Sequence, residues 1–243
     1  MTKERLDVMM VQRGLAESRE QAQRLVMAGQ VLVAEQPALK PGHRYDSESG
    51  IAVKQPPRFV GRGGEKLEGA FEAFDLAVDG LICLDVGAST GGFTDCLLQH
   101  GAARVFAVDV GKGQLHWKLR NDSRVTILDE VNARYLEPGD LPDQPGFAAI
   151  DVAFISLTKI LPAVIDVVVQ RAQLVTLIKP QFEVERGQVG KGGVVRDPAL
   201  RDGVVEKIRN FGVTELGLDW LGLCESPLRG PAGNVEFLAW WRK

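Results

Sequence analysis

Four charged side chains lie in or beside apolar segments, and together they could handle the proton of a hydroxyl group. They are Lys66 in GRGGEKL, Asp151 at the end of AAID, Lys179 at the end of TLIK and Glu236 in GNVEFLAWW. A buried charge is costly unless it is paired or faces a cleft, and burial lowers the pKa of a lysine toward the range of a general base. Each residue alone is equally well explained as one half of a structural ion pair.

The elements that would position these residues alternate between strands and helices. The predicted strands are 82–85, 105–109, 125–128, 148–151 and 174–179, and the predicted helices are 94–100, 114–120 and 156–171. This alternation predicts a parallel sheet covered on both faces, with ligands at the carboxyl ends of its strands. Residues 216–224 and 235–241 predict a terminal antiparallel hairpin. A parallel sheet with such a hairpin is typical of methyltransferases, so we expect an α/β, Rossmann-like class I methyltransferase fold.

The glycine-rich segment ICLDVGASTGGFT, residues 82–94, predicts a cofactor pocket after the first of these strands. It lacks the Gly-Lys-Ser/Thr of a phosphate-binding loop and the second glycine of the dinucleotide fingerprint G-x-G-x-x-G. S-adenosylmethionine has no pyrophosphate and therefore fits this turn better. We expect Asp85 to face its charged amino acid end, Asp109 its ribose hydroxyls and residues 129–132 its adenine. The predicted cofactor-binding residues are Asp85, Gly87, Ser89, Thr90, Gly91, Gly92, Phe93, Thr94, Asp109, Asp129, Glu130, Val131 and Asn132.

The first sixty residues predict a separate, small α+β unit. Residues 5–11 can form a short helix, and Ser18 with Gln21 predicts a capping box before a second helix that stops at Gly29. Residues 31–33 and 51–53 read as short strands. This region has a net charge of +2 and the remainder has −5, an asymmetry too small to prove a nucleic-acid partner. Gln55-Pro56-Pro57 predicts a linker, which divides the chain into domains 1–57 and 58–243.

Composition limits the remaining function classes. The chain has 243 residues, 45% of them hydrophobic and 25% charged, which is ordinary for a globular protein. Its three cysteines are far apart and lack metal-ligand spacing, so we expect reduced thiols, a cytoplasmic protein and no metal. Neither a signal peptide nor a membrane span is predicted. The predicted oligomeric state is a monomer.

The N-terminal region resembles the S-four-type RNA-binding domain. The resemblance covers residues 5–53 and depends on R-L-D, R-G-L, S-R and a glycine before a strand, in that order. It departs from the family at Ala34-Glu35, where an Asn-Gly turn is common. The resemblance implies that arginines on the helix pair and adjoining loop contact RNA phosphates.

The catalytic candidates occur in the order of the Lys-Asp-Lys-Glu tetrad of FtsJ-like RNA ribose 2′-O-methyltransferases. Six motifs also resemble the TlyA family, sometimes labelled haemolysin A: RFVGRGGEKL, LDVGASTGGFTDCLL, VDVGKGQL, IDVAFISL, LIKPQFE and GNVEF. The resemblance implies methylation of a cytidine 2′-hydroxyl in 23S rRNA, and in longer members also in 16S rRNA. It implies that Lys179, held by Asp151, takes or steers the hydroxyl proton, while Lys66 orients the acceptor.

Positive residues outside the tetrad would guide RNA to this edge of the sheet. The glycine-rich segment 187–193 could be a loop over the RNA site or an ordinary surface loop. The predicted RNA-binding residues are Arg5, Arg13, Arg19, Arg24, Lys40, Arg58, Arg62, Lys191 and Arg196. Two alternatives remain, a pore-forming haemolysin and a non-catalytic RNA-binding assembly factor.

Overall fold

The computed structural model describes residues 3–54 and 57–243, the side chain of Arg186 excepted. It divides into two compact units, residues 1–58 and residues 59–243, here called the N-terminal and C-terminal units. Gln55 and Pro56 of the predicted linker lie outside the described residues.

The N-terminal unit is a helix pair packed beside two small sheets. Its elements are β1 (Lys3–Arg5), α1 (Leu6–Gln12), α2 (Arg19–Met27), β2 (Val31–Val33), β3 (Gln36–Pro37), β4 (Arg44–Asp46) and β5 (Ile51–Val53). Strands β1 and β4 pair antiparallel, and β2 lies between β3 and β5. A core of small and aliphatic side chains, among them Leu6, Met10, Val26 and Val31, joins the helices to the β2 sheet.

The predicted capping box forms only in part. Ser18 Oγ accepts the N–H of Gln21 at 3.2 Å, as expected, and caps α2. The Gln21 side chain, however, accepts the N–H of Glu17 at 2.6 Å rather than that of Ser18. The donor it satisfies therefore lies one residue earlier than the capping-box pattern predicts.

The turn between β2 and β3 forms without the common Asn-Gly pair. Ala34 and Glu35 have φ values of 48° and 64°, so both occupy the left-handed region. A two-residue hairpin of the favoured type requires positive φ at both central positions, and non-glycine residues there carry some backbone strain. The departure from the family pattern therefore changes the residue types but preserves the hairpin.

The C-terminal unit is a seven-stranded sheet with helices on both faces. Its strands are β6 (Ile82–Val86), β7 (Arg104–Val108), β8 (Val125–Leu128), β9 (Phe147–Ile150), β10 (Gln173–Ile178), β11 (Asp219–Glu225) and β12 (Phe237–Arg242). Its α-helices are α3 (Arg62–Ala73), α4 (Gly92–Gln99), α5 (Trp117–Arg120), α6 (Leu161–Val167), α7 (Pro180–Glu183) and α8 (Pro198–Asn210). Short 3-10 helices span Ala133–Tyr135, Pro138–Asp140, Leu157–Lys159 and Arg186–Gln188, and a π-helical turn spans Phe211–Glu215.

The strand order is β11-β12-β10-β9-β6-β7-β8, with β6 to β10 parallel and β12 antiparallel to both of its neighbours. This is the predicted class I methyltransferase sheet with its antiparallel hairpin. The order reverses between β6 and β9, and an open α/β sheet binds ligands in the crevice outside such a switch point.

Several predicted boundaries were wrong, and one of the differences has a clear local cause. Pro162 sits at the start of α6, so the predicted helix 156–171 breaks into a 3-10 turn and a helix that ends at Val167. Only four residues of the predicted helix 114–120 are α-helical. Helices α3 and α8 were not predicted. Asp109, Asp151 and Lys179 each follow the last residue of their strand, whereas Glu236 precedes β12 rather than lying inside it.

Apolar side chains on both faces of the sheet form the core of the C-terminal unit. Phe106, Ile150 and Trp241 are fully buried on one face, and Phe147, Leu97 and Leu238 on the other. Among the described residues, no helix is both long and apolar enough to cross a lipid bilayer.

Candidate active site

Lys66 and Glu236 form a buried ion pair between α3 and the residue before β12. The Lys66 Nζ lies 2.5 Å from Glu236 Oε2, and the two side chains are 9% and 1% exposed. Gln181 Nε2 donates to the other oxygen, Glu236 Oε1, at 3.3 Å. Gly230 lies against the same carboxylate, where a Cβ would approach Oε1 within 2.4 Å. The Glu236 carboxylate is therefore held on both oxygens and enclosed by backbone.

Lys179 and Asp151 form a second ion pair, between the residues that follow β10 and β9. The Lys179 Nζ lies 2.5 Å from Asp151 Oδ1, and the side chains are 12% and 20% exposed. Asp151 Oδ1 is buried and makes this contact without a well-directed hydrogen bond. This pair is more open to solvent than the first, which leaves room for a substrate group beside it.

Strand register brings the two pairs to one edge of the sheet. Ile178 of β10 pairs with Phe237 of β12, so the next residues outward, Lys179 and Glu236, lie side by side. Strands β9 and β10 are parallel neighbours, which places Asp151 at the same edge. The four predicted catalytic residues therefore meet at the carboxyl ends of the parallel strands.

A cavity of about 630 Å³ opens beside this edge, at the switch point of the sheet. Its size is within the usual range for small-molecule sites. It contains five predicted cofactor residues, Gly87, Ser89, Asp109, Val131 and Asn132. The other lining residues are Val86, Val108, Val110, Gln114, Ala133, Arg134, Asp151, Val152, Ala153, Phe154, Ile155 and Ile160. Asp151 thus borders both the cavity and the ion pair with Lys179.

The wall near β6 and β7 is built from backbone and one carboxylate. Gly87 has φ +85°, and a Cβ there would approach the Asp151 carbonyl oxygen within 2.3 Å, so only glycine fits. Asp109 Oδ2 accepts the N–H of Ser89 at 2.8 Å, and Oδ1 accepts the N–H of Gly111 at 2.7 Å. These bonds fix the Asp109 carboxylate at the cavity wall.

Asp85 directly precedes the cavity-lining residue Val86 but does not itself line the cavity. It is fully buried, Thr94 Oγ1 donates to its Oδ2 at 2.6 Å, and Oδ1 has no partner among the described residues. Burial raises the pKa of Asp85 to about 7, an increase that the Thr94 hydrogen bond opposes and the nearby Asp151 and Asp109 charges enlarge. The carboxyl group can therefore gain or lose a proton near neutral pH.

The other predicted cofactor residues do not line this cavity. Thr90, Gly91, Gly92, Phe93 and Thr94 build the turn and the first part of α4, and the last four are buried. A Cβ on Gly92 would approach the Gly64 nitrogen within 2.6 Å, so this glycine permits α3 and α4 to pack closely.

Asp129 and Glu130 do not line the cavity either, and their carboxylates bind other groups of the C-terminal unit. Asp129 Oδ2 accepts the N–H of Gly113 at 2.9 Å, and Glu130 pairs with Lys112 at 2.8 Å. Of the segment predicted for adenine, only Val131 and Asn132 reach the cavity.

Phe154 is an exposed aromatic residue at the cavity that was not predicted from the sequence. Phe154 is 90% exposed, has φ +62° and lies 5.0 Å, between ring centroids, from Phe182. Positive φ at a bulky residue is a strained conformation that clusters at functional sites. The signal in the sequence was a phenylalanine three residues after Asp151, which periodicity alone assigns to an apolar core.

Three predicted RNA-binding arginines of the N-terminal unit make internal contacts. The carboxylate of the buried Asp7 accepts from Arg5 at 2.8 and 3.0 Å and from Arg19 at 3.1 Å. These donors, together with Gln23, hold the pKa of Asp7 well below its usual range. Arg13 donates to the carbonyl oxygens of Ser47 and Ser49. Arg5 and Arg19 nevertheless remain 41% and 55% exposed, so Asp7 orients them without covering them.

The remaining predicted RNA-binding residues, Arg24, Lys40, Arg58, Arg62, Lys191 and Arg196, are exposed. Within the C-terminal unit, Arg62 donates to the carbonyl oxygen of Arg229 at 3.1 Å. The glycine-rich segment 187–193 is attached to the chain before β12, because Asn234 Nδ2 donates to the Gly193 carbonyl at 2.8 Å. Lys191 lies within this segment.

Comparison with known proteins agrees with this architecture. The sequence model of the FtsJ-like methyltransferase family matches residues 59–243, and the sequence model of the S4 domain family matches residues 4–51. The chain is 48% identical over 240 residues to the 16S/23S rRNA (cytidine-2′-O)-methyltransferase TlyA of Mycobacterium tuberculosis, covering 98% of this chain and 89% of that protein.

Two solved structures are also similar. One, from Streptococcus thermophilus and provisionally named a hemolysin, has 48% identity and a TM-score of 0.76, covering all of this chain and 89% of that one. An S-adenosylmethionine-dependent methyltransferase from Mesorhizobium loti shares the fold at 14% identity and a TM-score of 0.51, covering 74% of this chain and 98% of that one. The protein whose strand ends bring two lysine–carboxylate pairs together therefore belongs to the FtsJ-like methyltransferase family and carries an N-terminal S4 domain.

Proposed function

We propose that this protein transfers a methyl group from S-adenosylmethionine to the ribose 2′-hydroxyl of a cytidine in ribosomal RNA. The observation that carries the proposal is the convergence of the Lys66–Glu236 and Lys179–Asp151 pairs at one strand edge beside the switch-point cavity. Such a transfer needs an oriented hydroxyl nucleophile and a place for its proton, and these residues provide both.

The residues of the cavity fit S-adenosylmethionine. Asp109 would accept hydrogen bonds from the ribose hydroxyls, and Val131 and Asn132 would contact the adenine. Asp85 Oδ1, which has no hydrogen-bond partner among the described residues, would supply negative charge for the cationic amino acid end when the carboxyl group is ionised. When bound, the cofactor supplies an electrophilic methyl group.

Lys179 is the residue best placed to handle the hydroxyl proton. Asp151 fixes its Nζ at the border of the cavity, so the charged lysine can orient the 2′-hydroxyl and steer its proton as the oxygen attacks, and only the uncharged amine could take that proton. Lys66, fixed by Glu236, would orient the hydroxyl or a neighbouring phosphate.

The choice of acceptor rests on the relatives and on the N-terminal unit. A relative 48% identical over nearly the whole chain is named for cytidine 2′-O-methylation of 16S and 23S rRNA. S4-type units present arginines to RNA phosphates, and Arg5 and Arg19 are exposed here. We infer that the partner is ribosomal RNA or a ribosomal subunit, that the protein acts in the cytoplasm and that 23S rRNA is a target.

The test is transfer of labelled methyl groups to 23S and 16S rRNA by the purified full chain. We expect Lys179→Ala to abolish transfer and to leave S-adenosylmethionine binding, measured by calorimetry, close to that of the unmodified protein. Lys159→Ala removes an exposed lysine from the same unit and serves as the matched control. Transfer by Lys179→Ala near the unmodified rate would contradict the proposed role. If calorimetry detects no binding of S-adenosylmethionine to the unmodified protein, the result would instead favour a non-catalytic RNA-binding protein.

A further inference from the structure

A second cavity in the C-terminal unit is lined by three arginines. It has a volume of about 430 Å³, and the residues that line it include Val195, Arg196, Arg201, Arg229 and Val235. The three guanidinium groups come from three places: the chain before α8, the first turn of α8 and the loop between β11 and β12. Their convergence concentrates positive charge in a unit whose sequence carries net negative charge.

Among the described residues, the positive charge in this cavity has no carboxylate partner. None of the three arginines forms an ion pair with a carboxylate in the described part of the chain, and Arg201 Nε is buried without a hydrogen-bond partner there. A buried donor without an acceptor costs stability, so Arg201 Nε needs an acceptor from outside the chain, such as an ordered water, an ion or a ligand. The acceptor that matches several convergent guanidinium groups is a phosphate, whose oxygens accept paired N–H bonds.

The cavity is built on a buried amide and not on surface side chains alone. Asn234 is 1% exposed; its Oδ1 accepts the N–H of Val195 at 2.9 Å, and its Nδ2 donates to the Gly193 carbonyl at 2.8 Å. The backbone carbonyl of Asn234 accepts the N–H of Gly230 at 2.9 Å. One residue therefore holds both walls, through its side chain on the wall that carries Arg196 and through its backbone on the wall that carries Arg229.

The same segment continues directly into the catalytic edge. Val235 lines the arginine cavity, and the next residue is Glu236, whose carboxylate binds Lys66. A polynucleotide that places one ribose beside Lys179 must place a backbone phosphate within a nucleotide or two of it. We propose that Arg196, Arg201 and Arg229 bind a phosphodiester group of the RNA substrate next to the methylated nucleotide. This inference rests on the proposed function, because its ligand is part of the RNA acceptor.

Arg201→Gln tests the proposal in the full-length protein. We expect its affinity for 23S rRNA to fall about tenfold. The negative slope of log K against log salt concentration should become less steep by roughly 0.7 to 1, the value for one lost phosphate contact. S-adenosylmethionine binding should be unchanged. Because Arg201 Nε has no hydrogen-bond acceptor in the described part of the chain, its removal should leave the melting temperature unchanged or higher.

Two further variants distinguish the outcomes. Arg209 lies on the same helix as Arg201, but its side chain pairs with Glu206 and lies over Trp220. Arg209→Gln should therefore change neither the affinity for 23S rRNA nor the salt dependence of binding. Arg201→Lys keeps the charge without the fork, and should restore the slope but only part of the affinity. Equal RNA affinities and slopes for Arg201→Gln and Arg209→Gln would overturn the phosphate site. Failure of the unmodified protein to methylate rRNA would instead overturn the proposed function.

Discussion

Lys66 Nζ lies 2.5 Å from Glu236 Oε2, although the two residues are 170 positions apart in the sequence. Glycines permit the approach at both partners, since Gly92 lets α4 pack against the start of α3 and Gly230 lies against the carboxylate. The pair therefore connects the start of the C-terminal unit to its last strand, and it is structural as well as positioning for the reaction.

We expect Lys66→Ala to destabilise the protein by about 3 to 5 kcal/mol, because it leaves a buried carboxylate unpaired. Glu236→Ala should lower the free energy of unfolding by a similar amount, because it leaves the buried Lys66 ammonium unpaired. Urea unfolding monitored by tryptophan fluorescence measures both. The double variant Lys66→Ala/Glu236→Ala should cost less than the two single changes combined, whereas an additive loss would show that the charges do not interact in solution.

Strand ends could be predicted from the sequence because a charged residue that terminates an apolar run usually marks the edge of a sheet. Asp109, Asp151 and Lys179 were placed within a residue of their observed positions by this pattern. The helix that carries Lys66 was not predicted, since the glycine-rich start of α3 has poor helix propensity and the helix forms by packing on α4. Neither the pairing of Lys66 with Glu236 nor the unusual φ of Phe154 has a local sequence signal, because both depend on tertiary contacts.

Asp85 should make stability and cofactor binding depend on pH in opposite directions. Its pKa in the folded protein, about 7, is above the ordinary value of 3.8, so the folded state retains a proton that the unfolded state loses. The free energy of unfolding should therefore decrease as pH rises from about 4 to 7, by at most about 4 kcal/mol from this group. Ionised Asp85 should strengthen binding of the cationic cofactor as pH rises from about 6 to 7.5.

The variant Asp85→Asn separates these effects, because it retains an acceptor for Thr94 but cannot ionise. We expect it to be more stable than the unmodified protein at about pH 8 and to bind S-adenosylmethionine more weakly, with little pH dependence between about 6 and 7.5. Calorimetry and thermal unfolding at several pH values measure both quantities. Asp143→Asn, at an exposed carboxylate, is the control. An unchanged pH profile in Asp85→Asn would refute this role for Asp85.

Phe154→Ala should weaken RNA binding and leave stability nearly unchanged. The ring is 90% exposed and lines the cofactor cavity, so its removal uncovers little of the core. If a nucleobase of the RNA stacks on the ring, the substitution should weaken the binding free energy by about 1 to 3 kcal/mol. Methylation assays over a range of rRNA concentrations should show a raised KM, and Phe154→Tyr should retain most of the activity. A KM for Phe154→Ala equal to that of the unmodified protein would show that no base stacks there.

Asp7→Ala should lower the free energy of unfolding of the N-terminal unit by about 2 to 3 kcal/mol, because Arg5, Arg19 and Gln23 lose a common buried acceptor. Hydrogen exchange in the full chain should show faster exchange at α1 and α2, with no change in the C-terminal unit. Glu20→Ala, at an exposed residue in the first turn of α2, provides the comparison. Equal protection in the two variants would mean that the buried Asp7 contacts do not stabilise the helix pair.

Mass-spectrometric mapping of ribosomal RNA, after incubation with the protein and S-adenosylmethionine, tests the proposed ribose methylation without intermediate assumptions. We predict one or a few 2′-O-methylcytidines in 23S rRNA, formed by the unmodified protein and by Lys159→Ala and absent with Lys179→Ala. A methyl group found on a base, or methylation that persists at full rate without Lys179, would contradict the proposal.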